Sequence, residues 1–74
     1  MKTYNLTIQA NQRPETLERL LRVIRHRGFT VVKLSSESKD GVISLSTTVQ
    51  SERELPLLVH QLVKLPDVLT CLSS

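Results

Sequence analysis

The sequence is poor in the residue types that usually carry chemistry. It has no Trp, one Tyr, one Phe, one Cys and two Gly among 74 residues. With so few aromatics the core has to come from Leu, Val and Ile. A chain of this length makes a single domain, residues 1–74, and buries only about 60% of its unfolded surface. Such a core is marginal, which favours oligomerisation or docking on a larger partner. Cys71 has no second cysteine to pair with. No run of about 18 apolar residues exists to span a membrane. The N-terminus alternates polar and apolar residues from Lys2 to Ala10, unlike the continuous apolar stretch of a signal peptide. These features fit a cytoplasmic protein.

Catalytic and metal-binding patterns are absent as well. His26 and His60 fall on different expected helices and Cys71 on the last expected strand. A zinc site needs local pairs such as Cys-x-x-Cys or two His at i, i+4, and none is present. Cys71 reads as a small core or edge residue, and both histidines as helix-surface residues. Two glycines cannot build a glycine-rich phosphate loop. Glu15, Glu18, Glu52, Glu54 and Asp67 sit at helix starts or turns, where capping and dipole compensation account for them. The sequence therefore predicts no catalytic residue, no metal ligand and no cofactor site of its own.

What the sequence does contain is clear punctuation. From Thr3 to Ala10, Tyr4, Leu6, Ile8 and Ala10 alternate with Thr3, Asn5, Thr7 and Gln9, the period of a strand with one buried face. After Asn11-Gln12-Arg13, Pro14 suits a first helical position. Leu17, Leu20, Leu21 and Ile24 then form an apolar stripe at i, i+3, i+4, i+7, flanked by Val23. Gly28 stands where a left-handed cap is needed, and Phe29 follows to pack back. Glu15–Arg19 and Glu18–Arg22 are i, i+4 pairs in the favourable order.

The second half repeats the theme. Phe29 to Ser35 reads as a strand, Ser36 to Gly41 as a polar connection, and Asp40-Gly41 as a hairpin turn. In the strand Val42 to Val49, Ile43, Leu45, Thr47 and Val49 form the inner row. Ser51 and Glu54 have capping-box spacing. The helix beyond them buries Leu55, Leu58 and Leu62, with Val59 beside them, and Pro56 is expected to distort its start. Lys64 suits its last turn and Pro66 stops it. Val68 to Leu72 is a short last strand, and Ser73-Ser74 are expected to fray.

The order strand–helix–strand–strand–helix–strand predicts an α+β, ferredoxin-like βαββαβ fold. Its four-stranded antiparallel sheet carries both helices on one face. Right-handed crossovers place the first and third strands in the centre. The second strand is then an edge, and Val31, Val32 and Leu34, guarded only by Lys33, invite pairing with a second copy. A homodimer through that edge is expected.

The basic face of the first helix, Arg19, Arg22, Arg25 and Arg27, is the remaining candidate surface. Three readings stay open: a solvated helix face, a dock for an acidic patch on a protein partner, and a nucleic-acid contact. Net charge is +3, with acidic residues interleaved. An RNA-binding sheet of this topology would present aromatics on its open face, where Thr3, Asn5, Thr7, Ser44, Ser46 and Thr48 are expected instead.

The strand–loop–helix–Gly–aromatic–strand pattern resembles the ACT domain, a small regulatory module of amino-acid metabolism. The wording from Pro14 through Leu17, Leu20, Leu21 and Ile24 to Gly28-Phe29 resembles the small subunits of acetolactate synthase, short isozyme II type. Gln61-Leu62-Val63-Lys64-Leu65 and Asp67-Val68 extend that likeness. The resemblance implies a non-catalytic subunit that activates and stabilises a large subunit in branched-chain amino-acid biosynthesis. The large subunit would hold thiamine diphosphate, FAD and Mg²⁺. In valine-sensitive relatives, an Asn and a Gly in the loop before the first helix help hold the effector. Asn11 matches that Asn, the loop is one residue longer, and Glu15 stands in place of the Gly. Glu15 brings bulk and negative charge to where a ligand carboxylate would approach the helix. Asn11, Gln12, Arg13 and Glu15 are therefore expected to form a disabled effector loop, insensitive to valine. A free-standing amino-acid sensor and a small nucleic-acid-binding domain are the alternatives.

Overall fold

The computed structural model describes residues 1–73. The chain runs β1 (Lys2–Asn11), α1 (Thr16–His26), β2 (Thr30–Lys39), β3 (Val42–Ser51), α2 (Leu55–Leu62) and β4 (Val68–Ser73). The sheet order is β2-β3-β1-β4, with every neighbouring pair antiparallel. This is the expected βαββαβ arrangement, with β1 and β3 central.

Alternation along the central strands decides which face the helices cover. Leu6, Ile8 and Ala10 of β1 and Ile43, Leu45, Thr47 and Val49 of β3 are buried. They form the core with Leu20 and Ile24 of α1, Phe29, and Leu55, Leu58 and Leu62 of α2. Both helices therefore cover one face, and the inner row expected for β3 is the observed one. Tyr4 also points to the helix side, 6.2 Å from the Phe29 ring. Neither aromatic reaches the open face.

The β1–β3 register runs from Lys2↔Ser51 to Asn11↔Val42 and so defines two ends of the domain. The end at Asn11 gathers the β1–α1 loop, the β2–β3 hairpin and the start of β4. The end at Lys2 gathers the α1–β2 turn and the β3–α2 connection.

Several boundaries differ from expectation, each for a local reason. Helix α1 begins at Thr16, and Pro14 and Glu15 form a turn before it. The buried Thr16 hydroxyl sets that start, accepting the Arg13 N–H at 3.1 Å and donating to the Asn11 carbonyl at 2.9 Å. Strand β2 continues through Ser36–Lys39, which the sequence reading assigned to a connection. Its ladder with β3 closes at Lys39↔Val42, and its polar residues suit an exposed edge. The turn beyond has positive φ at both Asp40 (52°) and Gly41 (79°), as a two-residue hairpin with native twist requires.

Ser51 ends β3 rather than capping α2. Helix α2 starts at Leu55, after Glu54, which makes no side-chain capping bond. Pro56 thus lies in the first turn, where its missing N–H costs nothing, and the expected distortion disappears. The Gly28 cap is as expected. At φ +87°, Gly28 donates to the Arg25 carbonyl and Phe29 to the Ile24 carbonyl, the paired bonds of a left-handed C-terminal cap. Ser73 belongs to β4, and Ser74 lies outside the described residues. Among the described residues no helix is long and apolar enough to cross a membrane.

Candidate functional site

The loop leaving β1 is tied down by its own chain. The Asn11 N–H donates to the Asp67 carbonyl and the Gln12 N–H to the Gly41 carbonyl, each at 2.8 Å. The Arg13 N–H goes to the Thr16 hydroxyl. Three consecutive backbone donors are therefore spent inside the molecule. Side chains complete the closure: Ser38 Oγ donates to Gln12 Oε1 at 3.1 Å, and Arg13 Nε donates to Asp67 Oδ1 at 2.8 Å. The carboxylate of Asp67 is only 13% exposed and also faces Arg19 Nη1 at 3.9 Å. Between α1 and Asp67 the remaining cavity is about 10 Å³, no larger than one water requires. Glu15 is exposed at the cap position of α1, with no side-chain capping bond.

Asp67 is the residue that sequence reasoning missed. It reads there as an exposed turn residue, yet it anchors the loop. The signal was positional: an acid directly before β4 must meet the end of β1, because those strands pair. Its presence also overturns the expected Glu15–Arg19 pair. Arg19 turns toward the better-buried Asp67, whereas Glu18–Arg22 forms as expected at 3.0 Å.

The four helix arginines differ in what they touch, although Arg19 and Arg22 share one shallow depression with Glu15 and Glu18. Arg19 serves the loop and Arg22 pairs with Glu18 on the same helix. Arg25 is exposed in the last turn. Arg27, just beyond, donates to Gln61 Oε1 of α2 at 3.1 Å.

On β2, Val31 packs partly against the core, while Val32 is 51% and Leu34 42% exposed. The register shifts between Val31 and Lys33, so Val32 is the extra residue of a bulge. Lys33 pairs with Thr48 and so points to the open face, whereas Leu34 pairs with the core-facing Thr47. The outer edge of β2 pairs with no strand of the described chain.

The open face is a field of small polar groups. Asn5, Thr7, Ser35, Ser46 and Thr48 line a shallow depression of about 310 Å³, and Thr48 Oγ1 donates to Asn5 Oδ1 at 2.8 Å. Cys71 pairs with Ile8 on β1 and faces the helices, and burial pushes its thiol pKa up. Among the described residues no three His, Cys, Asp or Glu side chains gather where they could hold a metal ion.

With this geometry in hand, comparison with known proteins is specific. Residues 12–71 match the ACT domain family. The chain is 44% identical over 70 residues to the acetolactate synthase isozyme 2 small subunit of Escherichia coli K12, covering 92% of this chain and 80% of that one. It belongs to the ACT domain family, among the acetolactate synthase small subunits. The Shigella flexneri isozyme 2 small subunit is similar to the same degree. Solved structures agree on the fold. The ACT domain of GTP pyrophosphokinase from Chlorobium tepidum superposes with a TM-score of 0.85 at 16% identity, over 97% of this chain and 96% of that one. The acetolactate synthase small subunit from Thermotoga maritima gives 0.84 at 14% identity, over 99% of this chain and 47% of that one. The β1–α1 loop, with which the matched region opens, is bonded internally through the N–H groups of Asn11, Gln12 and Arg13.

Proposed function

We propose that this chain is the regulatory, non-catalytic small subunit of an acetolactate synthase, activating and stabilising a large catalytic subunit without valine as effector. Similarity to the isozyme 2 small subunit along nearly the whole chain carries the subunit reading. The closed loop carries the valine reading. A ligand carboxylate needs free N–H groups, and those of Asn11, Gln12 and Arg13 are bonded within the chain. Arg13 itself is held by Asp67. Glu15, exposed at the helix start, adds a negative charge that repels a carboxylate.

This chain acts by differential binding. It holds the large subunit in its active conformation because it binds that conformation more tightly, and it supplies no reacting group. Thiamine diphosphate, FAD and Mg²⁺ belong to the large subunit in this reading. The small subunit pairs with itself along β2, where Val32 and Leu34 supply apolar cover and Val31, Lys33 and Leu34 bring the edge. Light scattering at micromolar concentration giving a monomer mass would remove that part.

The functional test is acetolactate formation by the large subunit from the same source, with and without this chain and with added valine. Activation that valine leaves intact is the expected result. Activation abolished by valine would retain the subunit and overturn the reading of the loop. No activation and no co-elution would overturn the subunit itself.

A further inference from the structure

We propose that the end of the domain opposite the effector loop carries a docking site for an acidic segment on the surface of the large catalytic subunit. This inference rests on the small-subunit reading above and names the place and chemistry of the contact. A depression of about 240 Å³ lies between the end of α1 and the side of α2. Arg27 and His26 come from the α1 end, Arg53 from the β3–α2 connection and His60 from α2, around the buried Phe29, with Leu57 at the rim. No Asp or Glu lines it.

The acids on either side of Arg53 in the sequence are already paired. Glu54 accepts from Lys2 at 3.0 Å, an interaction that raises the Lys2 pKa, and Glu52 lies 3.5 Å from the N-terminal ammonium. Among the described residues the Arg27 guanidinium is bonded only to the neutral Gln61. Arg53 makes no ion pair among the described residues. Two guanidinium groups therefore face solvent with their charge uncompensated.

The backbone of Arg53 is also held in place. Its N–H donates to Ser51 Oγ at 2.9 Å, and that hydroxyl donates to the Gly28 carbonyl at 2.8 Å. Its carbonyl accepts the Tyr4 hydroxyl at 3.3 Å. Its side chain lies flat over Gly28, so close that a Cβ there would sit 2.5 Å from Nε. The backbone that carries Arg53 is thus anchored at the edge of the depression, and its guanidinium, with no acid bonded to it among the described residues, is available to a carboxylate.

The occupant follows from shape and charge. The depression is broad, and Leu57 at its rim is 65% exposed, so it suits a protein surface better than an enclosed small anion. Leu57 asks for an apolar contact and the two arginines for carboxylates. An acidic stretch containing one apolar side chain meets both demands.

The test compares two charge-matched double variants for affinity to the purified large subunit. Arg27→Gln with Arg53→Gln removes two positive charges from the depression. Lys39→Gln with Lys64→Gln removes two from exposed positions elsewhere that make no ion pair among the described residues. The depression variant is expected to lose about tenfold or more, and the matched control no more than about threefold. Arg53→Lys, which keeps a positive charge, should retain most of the binding. Raising salt from about 50 to about 500 mM should weaken the wild type more than the depression variant. Circular dichroism on each variant separates lost binding from lost folding. Equal losses in the two doubles, or a larger loss in the control, overturn the docking site and leave the subunit reading standing. A wild-type chain that does not bind the large subunit at all overturns both.

Discussion

The two ends of this small domain are both rich in arginine and behave oppositely. At the loop end, Arg13 and Arg19 converge on Asp67, and the backbone donors of the loop are consumed by carbonyls and a hydroxyl. At the other end, Arg27 and Arg53 face outward while the adjacent acids are occupied by Lys2 and the N-terminus. Counting arginines would rank the two ends alike. What separates them is where the acids go. One largely covered carboxylate closes the first end, and two exposed acids are diverted from the second. The same residue type thus closes one surface and leaves the other available.

The comparison can be broken most strongly at Thr16. Its side chain is buried, 2% exposed, and its hydroxyl joins the Arg13 N–H to the Asn11 carbonyl. Thr16→Val keeps the volume and leaves both backbone groups unsatisfied, at a cost of about 2 kcal/mol. A fall in urea midpoint with an unchanged slope would be the sign of it. An unaltered midpoint would mean that the loop is not held from this residue.

Gly28→Ala attacks the other end and should cost slightly less, about 1–2 kcal/mol, chiefly because φ there is +87°. The added methyl also displaces the flexible Arg53 side chain. Affinity for the large subunit should therefore fall further than the stability loss explains, which titration under conditions where the variant is fully folded would reveal. Thr16→Val, folded under the same conditions, should leave that affinity nearly intact. Opposite outcomes for the two variants would invert the assignment of the ends.

Much of this architecture was legible in the sequence because the signals are local. Alternation at Tyr4, Leu6, Ile8 and Ala10, the i, i+3, i+4, i+7 stripe in α1 and the glycine cap at Gly28 each need only a short window. The sequence misreadings share a different cause. Ser51 has the spacing of a cap, but the β3 ladder extends through it and its hydroxyl serves Gly28 and Arg53 instead. Ser36–Lys39 look like a loop by composition, yet pairing with β3 keeps them extended. Asp67 and Arg53 owe their positions to contacts with residues distant in sequence, Arg13 and Gly28 respectively, so no window around either residue reveals them. The candidate site was therefore half visible. Its loop could be named from the sequence, but its closure and the opposite depression could not.

Asp67→Ala should have a smaller effect on stability, about 1 kcal/mol, because Arg13 and Arg19 are half exposed and regain water. Thermal melting would measure it. Its sharper signature lies at Cys71, on the strand that Asp67 introduces.

The Cys71 thiol is half buried, and burial raises its pKa, so the reactive thiolate is scarce at neutral pH. Alkylation of the native chain should therefore be slower than in urea, and its rise with pH should continue to higher pH than for an unfolded thiol. The sign follows from the protonated form being the one the fold favours. Folding is thus supported below the ordinary thiol pKa, and that support fades as pH climbs through the raised value. Loosening the start of β4 by Asp67→Ala should speed alkylation at neutral pH by a few fold. Gly28→Ala, acting at the far end, should change it less. Equal acceleration by both variants would show that the two ends open together, as one cooperative unit, and that their difference is one of surface charge alone.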